Sequence, residues 1–136
     1  MLTRAQSTLE RLEPDQALAA QRTGALIVDV RSHDQRARRR VIPGSLHVPR
    51  TVLEWRLDPD SPHRNPHACN LERQVVVVCS DGYSSSLAAA ALQELGYTRA
   101  TDLIGGFEAW ESRGLPTMPA PPVEDGMAGM GSASPP

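Results

Sequence analysis

The sequence predicts an α/β domain in which a central five-stranded parallel sheet carries helices on both faces. β-branched runs alternate with helix-like segments over about 110 residues, an order typical of parallel sheets. The strongest run, 75–79, begins with four consecutive valines. No polar residue alternates with them, which indicates a strand covered on both sides. The chain of 136 residues, 40% of them apolar, has room for one hydrophobic core.

The first part of the chain is predicted to run strand, helix, strand. Residues 9–12 can form a short first strand. Pro14 and Asp15 then open a helix, because proline is tolerated in a first turn and the positive end of the helix dipole stabilises an acid. Gly24 ends that helix, and residues 25–30 are apolar without alternation, as in a buried strand.

Short elements are predicted in the middle of the chain. Residues 32–40 are polar and rich in arginine, which predicts a solvated helix. A turn at 41–45 leads to a short strand at 46–48. The apolar spacing within 52–57 is helical, and the stretch 58–70, rich in proline, aspartate, histidine and asparagine, is expected to be a loop.

The second half of the chain repeats the order of strand and helix. After the strand at 75–79, residues 85–95 form an alanine-rich helix with leucines on one face, and Gly96 ends it. Residues 100–104 are predicted as the last strand and 106–113 as a terminal helix.

The end of the chain differs in composition from the rest. Residues 117–136 are mainly proline, glycine, alanine, serine and methionine, which bury too little apolar surface to order themselves. The domain is therefore expected to span 1–116 and to be followed by a disordered tail, whose removal should leave stability nearly unchanged. Trp55 and Trp110 are expected in the core of the domain.

Charge and cysteine content exclude several classes of function. The formal net charge is −2, so the chain offers no general attraction for nucleic acid or for a membrane surface. All 14 basic residues are arginine, which excludes a catalytic lysine. The first residues lack the apolar region of a secretory signal and no run approaches a membrane span, so a cytoplasmic location is expected. Two cysteines are too few for a disulfide framework.

Cys79 stands where the central strand is predicted to end, and parallel sheets bind ligands beyond that edge. Small residues after it let several backbone N–H groups turn inward as an anion-binding nest, and the next helix adds its free N-terminal donors. A sulfur held in such a nest is a candidate nucleophile. The predicted anion-binding loop consists of Ser80, Asp81, Gly82, Tyr83, Ser84 and Ser85. The alternative is a buried core cysteine without chemistry.

Two other groups of residues could bind a ligand. His63, His67 and Cys69 have metal-binding side chains, but prolines break the segment and it offers only three ligands, so no metal site is expected. Cys69 is interpreted as an incidental loop cysteine, with a resolving thiol as the alternative. The basic run within 36–40 is interpreted as a solvated helix face, and a docking patch for an acidic partner stays open.

Three separated segments carry motifs. They are Leu26-Ile27-Val28-Asp29-Val30-Arg31 followed by Ile42-Pro43-Gly44-Ser45-Leu46-His47-Val48-Pro49, the loop from Cys79 to Ser85, and Gly105-Gly106-Phe107-Glu108-Ala109-Trp110 followed by Gly114-Leu115-Pro116. In this order they resemble the strand, active-loop and C-terminal motifs of the rhodanese-like family. The resemblance covers roughly residues 8–116.

The resemblance implies a sulfurtransferase in which Cys79 carries sulfur as a persulfide. A small donor such as thiosulfate would load the cysteine, and a thiol, cyanide or a protein acceptor would remove the sulfur, with no cofactor. Asp29 and Arg31 match a pair at the end of a family strand, where they would support the site, with contact between Arg31 and a substrate anion as the alternative. The alternative is a rhodanese-like module that binds a partner or senses redox state without catalysis.

The chain departs from the family pattern at several positions. Ser80 and Ser84 stand where arginine is frequent, and Val41 replaces a histidine. Asp81 adds a carboxylate to the loop, which should repel a dianion such as thiosulfate. The related phosphatases have a loop one residue longer that ends in arginine, so Ser84 argues against phosphatase or arsenate reductase chemistry.

Overall fold

The computed structural model describes residues 2–7 and 9–121. The α-helices in these ranges are α1 (Leu2–Ser7), α2 (Pro14–Arg22), α3 (His33–Arg38), α4 (Leu53–Leu57), α5 (Ser84–Leu95) and α6 (Gly106–Ser112), and a 3-10 turn, Arg50–Val52, precedes α4. The strands in the same ranges are β1 (Leu26–Asp29), β2 (Leu46–His47), β3 (Val75–Val78) and β4 (Ala100–Asp102). No helix among them is long and apolar enough to cross a membrane.

The strands of the described chain form one parallel sheet of four, in the order β2-β1-β3-β4. The prediction of a fifth strand at 9–12 is wrong, because Leu12 forms only an isolated parallel bridge with Leu103. The pairing cannot continue along the chain. The residue after Leu12 already caps α2, and Pro14 begins that helix with a fixed φ and no amide hydrogen to donate.

Helices cover both faces of the sheet, as the sequence predicts. Val75 and Val77 face a core that they share with α4 and α5. Val76 and Val78 face the opposite core, which they share with α2 and α6 and which contains the fully buried Trp110. Burial of each valine side chain stabilises the fold by roughly 1.5–3 kcal/mol. Strand β3 is therefore a firm support for the residue that follows it.

The helix ends follow local signals in the sequence. At α2, Glu13 caps the start through reciprocal hydrogen bonds with Gln16. At α3, the Ser32 hydroxyl accepts the Gln35 amide at 3.1 Å in the same arrangement. Gly96 follows α5 in the left-handed conformation, with a φ of 113°. Because α3 and α5 each begin just after a strand, their free N–H donors lie at the carboxyl edge of the sheet.

Two side chains lie in environments that differ from those predicted. Trp55, expected in the core, is 49% exposed and packs on His63, with the ring centroids 4.4 Å apart. The short helix α4 buries its two leucines, so Trp55 is left on the other side. Arg36, expected on a solvated helix face, is only 4% exposed, because its guanidinium turns inward to lie 3.3 Å from the carboxylate of Asp29.

The first residues assigned to the tail contact the domain. The backbones of Met118 and Val41 exchange two hydrogen bonds of 2.8 and 2.9 Å. Arg40 donates to the hydroxyl and the carbonyl of Thr117 at 2.8 and 3.0 Å. The rest of the predicted tail, 122–136, lies outside the described residues. A boundary after residue 116 therefore stays a prediction, and these contacts favour one placed beyond Met118.

Two truncations test where the domain ends. Removal of 122–136 is expected to leave the melting temperature nearly unchanged, because its composition offers little apolar surface to bury. Removal of 117–136 also deletes the hydrogen bonds of Thr117 and Met118, and we expect it to lower the free energy of unfolding by about 2 kcal/mol. Thermal and urea unfolding measure both. An equal loss in the two truncations would assign the stabilisation to 122–136 instead.

Candidate active site

Cys79 directly follows β3 at the carboxyl edge of the sheet. Its side chain is buried, with the residue 5% exposed. The sulfur accepts two backbone N–H groups, from Gly82 at 3.1 Å and from Ser85 at 3.4 Å. One donor comes from the loop and the other from the first turn of α5, and both stabilise negative charge on the sulfur.

The carbonyl groups of the loop are held away from the sulfur. The second and third residues of α6 donate their amides to the carbonyls of Cys79 and Ser80, at 2.8 and 3.0 Å. Nη2 of Arg11 donates to the Gly82 carbonyl at 3.0 Å. These three contacts fix the backbone of Cys79, Ser80 and Gly82, the part of the loop that carries the first of the two donors to the sulfur, the Gly82 amide.

Gly106 and Gly82 let α6 approach the loop this closely. A Cβ on Gly106 would lie 2.4 Å from the Cys79 carbonyl oxygen, and its φ of +62° is one that side-chain-bearing residues avoid. A Cβ on Gly82 would lie 2.6 Å from the nitrogen of Gly105. Backbone meets backbone at this contact. The second glycine of the C-terminal motif, Gly106, therefore has a physical reason to be there.

A buried ionic network holds the loop from another side. Asp102, at the end of β4 and fully buried, accepts Nε and Nη2 of Arg11 at 2.8 and 3.1 Å. The same carboxylate accepts the hydroxyls of Ser85 and Ser86, at 2.7 and 2.9 Å. Arg11 also binds the Gly82 carbonyl, and Ser85 also donates its amide to the sulfur. The network therefore positions both donors of the nest.

This network was not predicted, although part of it left a signal in the sequence. Asp102 is an acid at the carboxyl end of a strand that pairs with β3, and polar residues at such neighbouring ends converge on the ligand edge of a parallel sheet. Nothing in the sequence around Arg11 indicates that it pairs with Asp102. It lies 91 residues from Asp102 in the chain, and an arginine just before a helix is usually solvated.

The remaining residues of the predicted loop face outward. Oδ1 of Asp81 accepts the Tyr83 amide at 3.0 Å and lies 3.9 Å from the Cys79 sulfur. Tyr83 is 60% exposed. Ser84, the first residue of α5, is exposed and Ser80 is half-buried. The predicted loop thus surrounds the sulfur with its backbone, while most of its side chains meet solvent.

Asp29 and Arg31 form a buried pair behind the loop. Nε of Arg31 lies 3.1 Å from Oδ1 of Asp29, and Nη2 lies 2.8 Å from Oδ2. The guanidinium carbon of Arg31 stands 4.1 Å from the ring centroid of Phe107. Phe107 is the residue whose amide holds the Cys79 carbonyl. The pair is thus linked to the loop through Phe107.

His47 braces the same region from β2. Its Nε2 lies 2.7 Å from the Arg31 carbonyl oxygen, and its ring stands edge-on to that of His33, with centroids 4.6 Å apart. Burial lowers the pKa of His47 to about 4. The ring is therefore neutral at pH 7. Its Nε2–H donates a hydrogen bond to the Arg31 carbonyl, which ties β2 to the residues after β1.

Cys69 has a different environment from Cys79. Its thiol, in the loop before β3, donates to the Asn65 carbonyl at 3.1 Å. Burial raises the pKa of the Cys69 thiol, which keeps the sulfur protonated and a weak nucleophile at pH 7. Among residues 2–7 and 9–121, no group of three or more histidine, cysteine or acidic side chains could hold a metal ion.

A cysteine in a strand–loop–helix nest, closed by a Gly-Gly helix start, agrees with the comparison to known families. The family model of the rhodanese-like domain matches residues 13–113. The chain belongs to the rhodanese-like family. The matched range holds all four described strands and the Cys79 loop, whereas Arg11 precedes it.

Relatives of this rhodanese-like chain match it over most of both chains. Thiosulfate sulfurtransferase GlpE of Pseudomonas fluorescens is 38% identical over 106 residues, which cover 78% of this chain and 88% of the relative. The solved structure of a Rhodopseudomonas palustris protein of unknown function, named a possible tyrosine phosphatase, has a TM-score of 0.79 at 34% identity and covers 85% of this chain and 89% of its own. The human single-domain sulfurtransferase TSTD1 has a TM-score of 0.61 at 26% identity and covers 76% of this chain and 96% of its own.

Proposed function

We propose that this rhodanese-like protein is a sulfurtransferase that moves a sulfane sulfur from a donor such as thiosulfate to a thiol or cyanide through a persulfide on Cys79. The observation that carries the proposal is the pair of backbone amides, from Gly82 and Ser85, on the Cys79 sulfur. Such amides, with the carbonyls held away, stabilise a thiolate or a persulfide anion. The names of two relatives, thiosulfate sulfurtransferase and single-domain sulfurtransferase, support the same class of reaction.

The proposed reaction is a double displacement. In the first step the Cys79 thiolate bonds to the outer sulfur of thiosulfate, and the bond between the two donor sulfurs breaks with its electron pair leaving on sulfite. In the second step an acceptor thiolate or cyanide attacks the outer sulfur of the persulfide, and the electron pair returns to the Cys79 sulfur. The two steps balance without an external oxidant or reductant. The amides of the loop bind the anionic sulfur in both.

The side chains around the loop do not favour a phosphatase, the activity named for the Rhodopseudomonas palustris structure. A transferring phosphoryl group is stabilised by a guanidinium that binds two of its oxygens. Ser84 stands where the loop would need that arginine. Arg11 and Arg31 are already bound to the buried carboxylates of Asp102 and Asp29. Sulfur transfer needs only an anionic sulfur in a nest of amides, which this loop supplies.

A rhodanese-like module that binds a partner without catalysis is the alternative, and mass measurement separates the two. Incubation with thiosulfate is expected to add the mass of one sulfur atom to the intact protein, and cyanide is expected to remove it. Peptide mapping should locate the added sulfur on Cys79 and not on Cys69. If neither thiosulfate nor a small organic persulfide adds sulfur to the folded chain, the catalytic proposal fails.

Replacement of Asp81 by asparagine is expected to increase kcat/KM for thiosulfate, roughly tenfold if the relief is near 1.4 kcal/mol. The carboxylate oxygen lies 3.9 Å from the Cys79 sulfur, so its charge opposes the approach of a dianion. Asparagine keeps an oxygen that can accept the Tyr83 amide, so the turn of the loop is preserved. Steady-state kinetics at low and high salt measure the effect, and the gain should shrink as salt rises.

Two controls separate the charge of Asp81 from its hydrogen bond. A neutral sulfur donor should gain less than thiosulfate in Asp81→Asn, because it carries no charge to repel. Asp81→Ala removes both the charge and the acceptor of the Tyr83 amide. The difference in kcat/KM between the two variants therefore measures the contribution of that hydrogen bond. Slower thiosulfate turnover in Asp81→Asn would show that the carboxylate takes part in the reaction, for example by positioning an acceptor.

A further inference from the structure

A concentration of positive charge lies outside the Cys79 loop. A cavity of about 550 Å³ is lined by residues of α3, by those that follow it, and by the segment after Met118. This basic cavity is defined by His33, Arg36, Arg39, Arg40 and residues 119–121. Three arginines share its wall, and no acid is among the described residues that line it.

Arg36 is the buried charge of the basic cavity. A guanidinium is almost never so fully buried unless it is paired and hydrogen-bonded. Its Nε lies 3.3 Å from Oδ2 of Asp29, yet neither Nε nor Nη2 has a hydrogen-bond partner among the described residues. Burial also lowers the pKa of Arg36, the direction expected where charge is poorly compensated.

The carboxylate nearest to Arg36 is already in use. Asp29 accepts hydrogen bonds from the amide, Nε and Nη2 of Arg31, so one negative charge faces two buried guanidinium groups. Arg40 donates to the neutral oxygens of Thr117. Arg39 pairs only at the surface, with a glutamate of α6. The wall of the basic cavity therefore carries positive charge that the described part of the chain does not balance.

We propose that the basic cavity binds a free tetrahedral oxyanion with two negative charges, of the phosphate and sulfate class. Guanidinium groups donate to the oxygens of such anions in pairs, and this wall presents three of them. The bound anion compensates the charge of Arg36 and lies between α3 and residues 119–121. The contacts from Arg36 to the Cys79 loop run through Asp29, Arg31 and Phe107, so the site is separate from the nest and does not depend on sulfur transfer.

Thermal unfolding of the full chain tests the proposal, with phosphate compared with chloride at equal ionic strength. We expect phosphate to raise the melting temperature by about 4 °C when it is in tenfold excess over its Kd. Phosphate and sulfate also stabilise proteins in general by exclusion from the surface, so matched variants are required. Arg36→Gln and Arg40→Gln should lose most of the shift. Arg38→Gln should keep it, because Arg38 is 71% exposed, pairs with Asp34 on the same helix and does not line the cavity.

The location of the bound anion decides the remaining outcomes. If Arg36→Gln fails to fold, the phosphate shift in Arg40→Gln tests the proposal by itself, because Arg40 is exposed and its replacement leaves the core intact. A phosphate shift that survives in Arg40→Gln is a general salt effect and overturns the proposal. Cys79→Ser should keep the shift, and its loss there would assign the anion to the Cys79 loop. Phosphate should move the amide NMR signals of 36–40 and Ala120, and movement confined to 80–85 would also overturn the proposal.

Discussion

Cys79→Ser is expected to abolish sulfur transfer and to leave the fold intact. A serine hydroxyl is nearly isosteric and can accept the amides of Gly82 and Ser85, but its oxygen cannot form the persulfide. The loss of turnover should be on the order of 1000-fold or more, down to the background rate. Thiocyanate formation from thiosulfate and cyanide measures the activity, and circular dichroism with thermal unfolding reports the fold.

Cys69→Ser is the matched control for that variant. Its thiol donates to the Asn65 carbonyl, a bond that a serine hydroxyl can keep, and its raised pKa makes it the weaker nucleophile. Activity should be little changed. Retained turnover in Cys79→Ser together with loss in Cys69→Ser would exchange the roles of the two cysteines and overturn the assignment.

Gly106→Ala is expected to damage both stability and activity. The new Cβ would stand 2.4 Å from the Cys79 carbonyl oxygen and 2.7 Å from the Gly82 nitrogen, and backbone atoms cannot rotate out of its way. The left-handed φ adds its own strain. Together these effects should lower the free energy of unfolding by about 3 kcal/mol. Because the loop must shift to make room, kcat/KM should fall at least about tenfold even where the variant is folded.

Gly114→Ala separates backbone strain from the close contact. Gly114 has a similar φ, +70°, but a Cβ there would meet nothing within 4 Å. This variant should therefore show only the cost of the left-handed conformation, about 1 kcal/mol, with normal kinetics. Urea unfolding and steady-state assays of the two variants side by side make the comparison. Equal effects on kcat/KM would show that the contact between α6 and the loop does not hold the nest.

The parallel sheet and the place of Cys79 could be predicted because their signals are local. Four valines in a row and an alanine-rich helix after a small polar loop indicate a buried strand, a turn and a helix, whatever the rest of the chain does. The prediction of a strand at 9–12 is wrong, although the signal against it is local as well. Pro14 opens the next helix two residues after Leu12, which leaves room for only an isolated bridge.

The parts of the site that escaped prediction depend on contacts between distant segments. The amides of Gly82 and Ser85 follow from the order of strand, loop and helix. The bond from Arg11 to Asp102 and the burial of Arg36 do not, because a surface arginine and a buried one have the same local pattern. Only the tertiary fold shows which arginine forms an ion pair with a buried carboxylate.

The three groups that bind the loop carbonyls come from distant parts of the sequence, and this bears on how the protein is made. Arg11 precedes α2, whereas the amides that bind the Cys79 and Ser80 carbonyls belong to α6, the last helix described. The ribosome adds Cys79 to the chain before any residue of α6. In a growing or partly folded chain the Cys79 loop therefore lacks these contacts, and we expect them to form only when the domain folds as a unit. The surroundings of the Cys79 thiol are thus complete only after nearly the whole domain has been made.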